Sequence, residues 1–209
     1  MKKAVISVIT LVALAVVIFN YKFLKRYYHV YFGVDGMFIE ADKDNFDRGP
    51  SVGSEMPTIR GLYQSKEFND IKSLAGENGT VFVINRSLEW CPYCMRQSIE
   101  LQKNKADFDA EGIAIVMMTY DTPETQLKFI NRHDIEYPIL SDIKGISFSN
   151  LEVLREEYGI DSDNYGLPYP GMIVIDSDGI IKGKLFIEAY SSRVDTKAVL
   201  EFAKQHLLK

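Results

Sequence analysis

The chain has 209 residues, of which 46% are hydrophobic and 25% charged, values typical of a globular protein with one domain and an appendage. Its formal net charge is −5, and Lys and Arg are concentrated nowhere beyond the first 26 residues, so the composition argues against nucleic acid as a partner. The only two cysteines, Cys91 and Cys94, are separated by two residues. This excludes a framework of structural disulfides and leaves redox chemistry, metal binding or coincidence.

Residues 1–26 predict a membrane anchor. Two lysines precede an uncharged run from Ala4 to Phe19, and the span reaches Leu24 if Lys22 snorkels to the headgroups and Tyr21 lies at the interface. As a helix, residues 4–24 would be about 31 Å long, close to the roughly 30 Å of a hydrocarbon core. The alternative is a signal peptide cleaved after Ala15, although cleavage there would leave the apolar residues 16–19 at the new N-terminus.

The positive charges on the two sides of this anchor are nearly equal in number, so they do not determine its orientation. Lys2, Lys3 and the amino group stand on one side, and Lys22, Lys25 and Arg26 on the other. Bacterial segments of this type usually export the large C-terminal domain. We therefore expect a single-pass protein of the bacterial inner (cell) membrane with an extracytoplasmic, periplasmic domain.

Residues 27–51 read as an aromatic-rich juxtamembrane linker. Within it, Val34-Asp35-Gly36-Met37 predicts a hairpin turn, so the linker is expected to pack on the domain or on lipid. The acidic segment 40–53, which contains Gly and Pro, then marks a boundary. The globular domain is expected to cover residues 52–209.

Strands and helices alternate through this domain. The β-branched run Thr80–Asn85 predicts a buried strand, and a helix is expected from Pro92 to about Phe108. Because these elements form a β-α-β-α unit, a hairpin and a terminal helix, they predict a thioredoxin-like α/β fold with a central mixed sheet flanked by helices. The remaining expected elements are strands at Ile113–Tyr120, Tyr137–Leu140, Met172–Asp176 and Ile180–Phe186, the last two joined by a turn at Asp178-Gly179, and helices at Pro123–Asn131, Phe148–Tyr158 and Asp195–Leu208.

The cysteine pair stands where a strand passes directly into a helix. Unpaired N–H groups and the positive end of the helix dipole favour a thiolate there, so Cys91 is the predicted nucleophile and is expected to face solvent. Cys94, one turn later, is placed to attack a mixed disulfide at Cys91 and release the reduced partner. Pro92 suits the first helical turn, and Tyr93 is expected to be exposed.

A metal site is not expected. Zinc needs about four ligands, and the chain offers no second cysteine pair. Its histidines, His29, His133 and His206, are scattered rather than set at ligand spacing. No cofactor is expected either.

Several motifs follow one another in a specific order. They are Arg86–Cys94 with Gln97 and Glu100-Leu101-Gln102, then Tyr120–Glu124, Pro138–Asp142, Tyr169–Gly179, Phe186–Tyr190 and Arg193. In this order they resemble the redoxin branch of the alkyl hydroperoxide reductase/thiol-specific antioxidant family, within the thioredoxin superfamily. The resemblance runs from about residue 52 to the C-terminus and implies a thioredoxin-like domain that exchanges electrons with thiols, disulfides or peroxides.

The resemblance also implies a substrate-binding surface. In thioredoxin folds a proline ahead of the strand that ends in an acidic residue has a cis peptide bond and faces the cysteine pair. Pro170, preceded by Tyr169, occupies that place and is expected to be cis. Trp90, Pro92 and Tyr93 are the other residues expected to contact substrate.

The sequence departs from peroxiredoxins proper, which resemble one another in the motif Pro-x-x-x-Thr/Ser-x-x-Cys. Counted back from Cys91, the two leading places hold Ile84 and Leu88; counted back from Cys94, they hold Ser87 and Cys91. Because neither frame fits, direct peroxidase activity is the second hypothesis rather than the first.

Polar residues near the cysteines leave alternatives open. Thioredoxins often carry a buried carboxylate six residues before the first cysteine, where this chain has Asn85, so a proton must come from water or another acid, with Glu89 nearest in sequence. Arg86 and Arg193 either stabilise the Cys91 thiolate, bind a substrate anion, or are ordinary surface charges.

The first hypothesis is a membrane-tethered thiol:disulfide oxidoreductase whose partners are protein or small-molecule disulfides and a dithiol electron donor. The second is a thiol-dependent peroxidase in which Cys91 becomes a sulfenic acid that Cys94 resolves. The third is a binding module that uses the fold as a scaffold, against which the intact cysteine pair speaks.

Overall fold

The computed structural model describes residues 2–34, 36–40 and 44–208 and divides the chain into two compact units, Met1–Asp35 and Gly36–Lys209. The first unit is built on α1 (Lys2–Tyr31). Apolar side chains in the middle of α1, including Leu11, Val12 and Val17, are more than half exposed. Among the described residues, no helix is both long enough and apolar enough to cross a membrane.

The second unit contains the other elements. In chain order they are β1 (Phe38–Ile39), β2 (Gly61–Tyr63), β3 (Lys66–Phe68), β4 (Gly79–Ile84), α2 (Pro92–Lys103), α3 (Lys105–Ala110), β5 (Ile113–Thr119), α4 (Pro123–His133), β6 (Ile139–Ser141), α5 (Ile146–Asn150), β7 (Gly171–Ile175), β8 (Ile181–Phe186), β9 (Arg193–Val194) and α6 (Thr196–Leu207), with short 3₁₀ helices at Ile71–Leu74 and Ile143–Gly145.

Among the described residues, seven strands form one mixed sheet in the order β3-β2-β6-β5-β4-β7-β8. β4 and β6 run parallel to β5, whereas β7 pairs antiparallel with both β4 and β8. All six residues of β4 are buried, as expected for a central strand covered on both faces. The carboxyl ends of β4 and β5 therefore meet at one edge of the sheet, where the cysteines follow β4.

Helices cover this sheet. α6 packs on β7 and β8 and contacts α2, while α3 packs on β5 and α4 on β6. The start of α4 has a capping hydroxyl at Thr122 followed by Pro123 at the first helical position, where the sequence predicted that the helix begins. The expected α/β architecture, with a mixed sheet between helices, is confirmed for this unit.

Two predicted helices differ in the structure. The helix expected at Pro92–Phe108 is divided at Asn104, which caps the end of α2 and the start of α3; its side-chain amide donates to the carbonyl of Glu100, which also accepts from the backbone N–H of Asn104. The helix expected at Phe148–Tyr158 is wrong beyond Asn150. Glu152 adopts a positive φ of 57°, so the apolar residues around it enter the core from irregular chain.

The segment before the main sheet also differs from expectation. The hairpin predicted at residues 34–37 includes residue 35, which lies outside the described residues. The strand that follows, β1, pairs in parallel with β9 rather than with a preceding strand. The hairpin of β2 and β3 was not predicted. The hairpin turn at Asp178-Gly179 is confirmed, since Gly179 has a φ of +86°. The boundaries 1–26, 27–51 and 52–209 stay predictions.

Close packing of β7 against β8 predicts the cost of one substitution beside Pro170. A Cβ added at Gly171 would lie 2.2 Å from ring carbons of the buried Phe186 side chain. Gly171→Ala is therefore expected to lower the free energy of unfolding by about 1–3 kcal/mol, measured by urea denaturation. Gly159→Ala, where a Cβ meets nothing within 4 Å, is the matched control and should change stability by less than about 0.5 kcal/mol. Equal stabilities of the two variants would contradict this packing.

Candidate active site

The two cysteines form a disulfide at the start of α2, as the strand-to-helix pattern predicted. Cys91 is the N-cap residue of α2, and Pro92 follows at the first helical position. The Sγ atom of Cys91 accepts a hydrogen bond from the backbone N–H of Cys94 at 3.3 Å. The sulfur of Cys91 thus lies at the helix N-terminus, where the helix dipole favours negative charge.

The loop between β4 and α2 is held by a carboxylate from the end of β5. Asp121 accepts hydrogen bonds from the hydroxyl of Ser87 at 2.6 Å and from the backbone N–H of Leu88 at 2.6 Å. The Ser87 oxygen in turn accepts from the N–H groups of Glu89 and Trp90. These bonds fix the backbone immediately before Cys91.

Asp121 itself is mostly buried. Burial raises the pKa of Asp121, and the hydrogen bonds from Ser87, Leu88 and Thr119 oppose that rise. The carboxylate is therefore kept in the protein interior by its donors rather than by a cation.

Both sulfur-bearing side chains are buried in the disulfide form. Cys91 is 1% exposed and Cys94 is 0% exposed. The expectation that Cys91 faces solvent is therefore wrong for this state. The neighbouring Trp90 is 51% exposed, so the motif reaches the surface through its tryptophan rather than its sulfur.

Arg86 lies against Cys91. Its Nη2 is 3.4 Å from the Sγ atom of Cys91, and its guanidinium carbon lies 5.5 Å from the ring centroid of Trp90 and 5.1 Å from that of Tyr190. The ring of Tyr190 also meets that of Tyr93 edge to face, at 5.9 Å. Burial and the nearby Arg155 cation lower the pKa of Arg86. One of the two arginines singled out from the sequence thus touches the predicted nucleophile.

Arg193 lies against the other sulfur. It is 4% exposed and donates from Nη2 to the Sγ atom of Cys94 at 3.6 Å, from Nε to Gln97 at 3.2 Å, and from Nη1 to the carbonyls of Tyr190 and Ser192. Burial, and secondarily the Arg86 cation, lower the pKa of Arg193 to about 9, so the side chain keeps its charge at neutral pH. The interpretation of Arg193 as an ordinary surface charge is wrong.

An amide pair connects Arg193 with the end of β4. Asn85 donates through Nδ2 to the Oε1 atom of Gln97 at 3.0 Å, the same oxygen that accepts from Arg193. Asn85 is fully buried, and its Oδ1 atom has no hydrogen-bond partner among the described residues. A neutral amide chain thus occupies the interior beside Cys94.

The predicted cis bond at Pro170 is wrong, since no cis peptide bond occurs in the described parts of the chain. The trans form is the lower-energy isomer of an X–Pro bond and satisfies the β4–β7 register, in which Gly171 pairs with Ile84. Pro170 is buried and lines a cavity of about 10 Å³ together with Gln97 and Arg193, which leaves room for no more than about one water molecule.

The predicted substrate residues fall into two groups. Trp90, Pro92 and Tyr93 stand around the disulfide, whereas Tyr169 lies between the guanidinium groups of Arg48 and Arg155, at 4.7 and 5.0 Å from its ring centroid. A substrate-binding role for all of them, and for Pro170, stays a prediction. So does proton donation by Glu89, which is exposed.

Sequence reasoning assigned no role to Asp121, Gln97 or Tyr190. Asp121 lies two residues after the end of β5, the parallel neighbour of β4, and that position at the sheet edge is a usable signal. Gln97 stands one turn after Cys94 on α2, a spacing that brings both to one face. Tyr190 reaches the site from an irregular loop, for which periodicity gives no signal.

Among the residues that the structure describes, no group of three His, Cys, Asp or Glu side chains could hold a metal ion.

The fold and this site define a thioredoxin-like domain with a dithiol/disulfide pair at the N-terminus of a helix. The sequence pattern of the AhpC/TSA family matches residues 52–184, which is more than half of the chain. The chain therefore belongs to the AhpC/TSA family.

Known proteins similar to this chain include a peroxiredoxin and a thiol-disulfide oxidoreductase. A putative peroxiredoxin, bcp, of Haemophilus influenzae is 25% identical over 92 residues, covering 44% of this chain and 58% of that protein. The thiol-disulfide oxidoreductase ResA of Halalkalibacterium halodurans is 28% identical over 93 residues, covering 44% and 46%. The chain thus spans less than two thirds of the length of either relative.

Similarity to solved structures concerns the fold alone. The crystal structure of peroxidoxin BcpB from Mycobacterium tuberculosis superposes with a TM-score of 0.62 at 17% identity, covering 78% of this chain and 97% of that one.

Anchoring of the active-site loop by Asp121 leads to a stability prediction. Asp121→Ala leaves the buried N–H of Leu88 without its acceptor, so the free energy of unfolding of the oxidised protein should fall by roughly 3 kcal/mol in urea denaturation. Asp121→Asn, which keeps one acceptor oxygen, should lose less. Asp163→Ala, at an exposed turn, is the control and should stay near native. A native-like Asp121→Ala would show that the loop does not depend on this carboxylate.

Proposed function

We propose that this protein is a membrane-tethered thiol:disulfide oxidoreductase that exchanges electrons with protein or small-molecule disulfides through Cys91 and Cys94. The observation that carries the proposal is the disulfide at the N-terminus of α2, with one arginine at hydrogen-bond distance from each sulfur. The similarity to ResA, a thiol-disulfide oxidoreductase, supports the same activity.

In the reducing direction the chemistry proceeds in two exchanges. The Cys91 thiolate attacks one sulfur of the partner disulfide, so a mixed disulfide forms and the partner's S–S bond breaks; the released sulfur takes a proton from water. The Cys94 thiolate then attacks the Sγ atom of Cys91, and the second partner sulfur leaves. Two electrons pass from the dithiol to the partner, and the intramolecular disulfide remains.

Each neighbouring group has a role in these steps. The start of α2 and the Arg86 cation both stabilise negative charge on Cys91. The loop fixed by Asp121 holds Cys91 in line with the helix. Because Cys91 is 1% exposed in the disulfide form, a partner must displace part of the cover formed by Arg86 and the rings beside it.

A peroxidase is the second candidate, favoured by the peroxiredoxin among the relatives. Reduction of a peroxide needs donors aimed at the charge that develops on the O–O bond. Leu88, at the Thr/Ser place counted from Cys91, is apolar, and the Ser87 hydroxyl is already bonded to Asp121. Neither residue supplies the hydroxyl donor that the Thr/Ser of the peroxiredoxin motif provides.

These two candidates predict different reactivity. The protein should catalyse dithiothreitol-dependent reduction of insulin, but the reduced form should react with hydrogen peroxide slower than a peroxiredoxin by on the order of a hundredfold or more. Stopped-flow fluorescence of Trp90, the one tryptophan in the sequence, reports both reactions.

Cysteine variants supply the controls for this experiment. Cys91→Ser should abolish insulin reduction, whereas Cys94→Ser should still attack and should accumulate mixed disulfides with its partners in the native host. A fast peroxide reaction with insulin left untouched would reverse the order of the two candidates.

The membrane tether is part of the same proposal. Its support is the uncharged run from Ala4 to Phe19, together with the exposure of apolar side chains such as Leu11 and Val17 on α1. Exposed apolar surface of this kind is stable in lipid and unfavourable in water. We place the redox domain on the extracytoplasmic side of a bacterial inner membrane.

Fractionation tests this tether. The full-length chain should stay with membranes after a carbonate wash, because an apolar helix is held by burial in lipid rather than by charge. A chain lacking residues 1–26 should be released under the same conditions. Recovery of a soluble mature form that begins near Val16 would instead establish a cleaved signal peptide. A reporter that is active only outside the cytoplasm, fused after residue 209, determines the side.

A further inference from the structure

The buried guanidinium of Arg193 lacks an opposite charge in the disulfide form. In the described parts of the chain no carboxylate pairs with it, and its hydrogen-bond acceptors are an amide oxygen, two carbonyls and a sulfur. The charged group that acts on it is a second cation, Arg86. A buried cation without a counter-charge is costly, so this state of the site is electrostatically unfavourable.

Reduction of the disulfide can supply the missing charge. A disulfide sulfur is uncharged, whereas a thiolate at Cys94 would carry a full negative charge at the atom that Nη2 of Arg193 already reaches, at 3.6 Å. Among the described residues, the side-chain amides that lie beside it, Gln97 and Asn85, are neutral. The cation therefore interacts more favourably with the reduced protein than with the oxidised protein.

We propose that Arg193 is a catalytic residue that holds Cys94 as a thiolate in the reduced protein and thereby directs the Cys91–Cys94 pair toward accepting electrons from partner thiols. The inference rests on the thiol–disulfide exchange proposed above and assigns its direction. Without an excess of a strongly reducing dithiol such as dithiothreitol, the protein would then form disulfides in its partners rather than reduce them.

The reaction in this direction is balanced as follows. A partner thiolate attacks the Sγ atom of Cys91, the Cys91–Cys94 bond breaks, and Cys94 leaves as a thiolate paired with Arg193. The second partner thiol loses its proton to water and attacks the mixed disulfide, so the partner disulfide forms and Cys91 departs as a thiolate. Because two neighbouring thiolates repel each other, Cys91 then takes up a proton while Cys94 keeps its charge beside Arg193. Two electrons pass to the protein, and of the two partner protons one is kept and one is released. A stabilised leaving group also accelerates the first step.

The charged and titratable groups that face this pair add no competing acid. Asp121 is engaged by the loop before α2, and Glu89 lies exposed on the surface. The groups around Arg193 and Cys94 are Arg86 before α2, Tyr93 and Gln97 on α2, and Tyr190 and Ser192 before β9.

Equilibration with glutathione tests the direction. For the reaction of the oxidised protein with two glutathione molecules, Arg193→Gln should lower the equilibrium constant about tenfold or more, equivalent to a reduction potential about 30 mV more negative. Arg193→Lys, which keeps the charge, should recover part of this loss. If Gln and Lys have equal effects, packing rather than charge is responsible and the proposal fails.

The pH dependence gives a readout that a purely structural role would not change. The logarithm of the glutathione equilibrium constant is measured against pH, below the pH at which free thiols ionise. Its slope should be larger by one in the native protein than in Arg193→Gln, because the native reaction releases one additional proton. Identical slopes in two folded proteins would overturn the proposal.

A second variant keeps the test independent of how Arg193→Gln folds. In Cys91→Ser the lone thiol of Cys94 should show thiolate ultraviolet absorbance at neutral pH, and an un-ionised thiol there would contradict the inference. Glutathione equilibria and absorbance need no physiological partner. A protein inactive toward insulin that still shows both effects would disprove the proposed function and leave the role of Arg193 intact.

Discussion

The structure of the site depends on one buried carboxylate. Asp121 stands at the end of β5 and accepts hydrogen bonds from the loop that leaves the end of β4, so it joins two parallel neighbours of the sheet just where the cysteine motif begins. The direction of the first turn of α2, and with it the position of Cys91 at the helix N-terminus, follows from this connection. Sheet, loop and helix thus form one rigid support for the disulfide.

The parts of the fold that sequence could predict are those with strong local signals. β4 and β5 are continuous apolar runs, α4 begins at a proline, and Asp178-Gly179 requires a turn. Leu151 and Leu154 have helical spacing but belong to irregular chain, because apolar spacing records burial whether or not the backbone is helical. β1 and β9 are two-residue strands, whose pairing depends on distant chain and leaves no local pattern.

The sequence predicted the main residues of the site but not the contacts between them. The cysteine pair, its place at a helix start and the two candidate arginines were all visible in the sequence. The sequence does not show which sulfur each arginine contacts, because this depends on the path of the loop before β9. That loop brings Arg193 to Cys94 and Tyr190 to Arg86. The sequence showed that Asn85 stands where thioredoxins often have a carboxylate. Only the structure showed that the buried Arg193 cation therefore lies beside neutral amides.

The cover over Cys91 has a consequence for kinetics. Arg86 lies on the sulfur and is held between the rings of Trp90 and Tyr190, which come from segments about a hundred residues apart in the chain. Attack on the disulfide therefore requires a local opening that parts these side chains. When that opening is slower than the sulfur chemistry, turnover becomes independent of the concentration and acidity of the attacking thiol, and a partner that itself displaces the tyrosine ring gains an advantage that small thiols lack. The domain can thus discriminate among thiols by access rather than by reactivity.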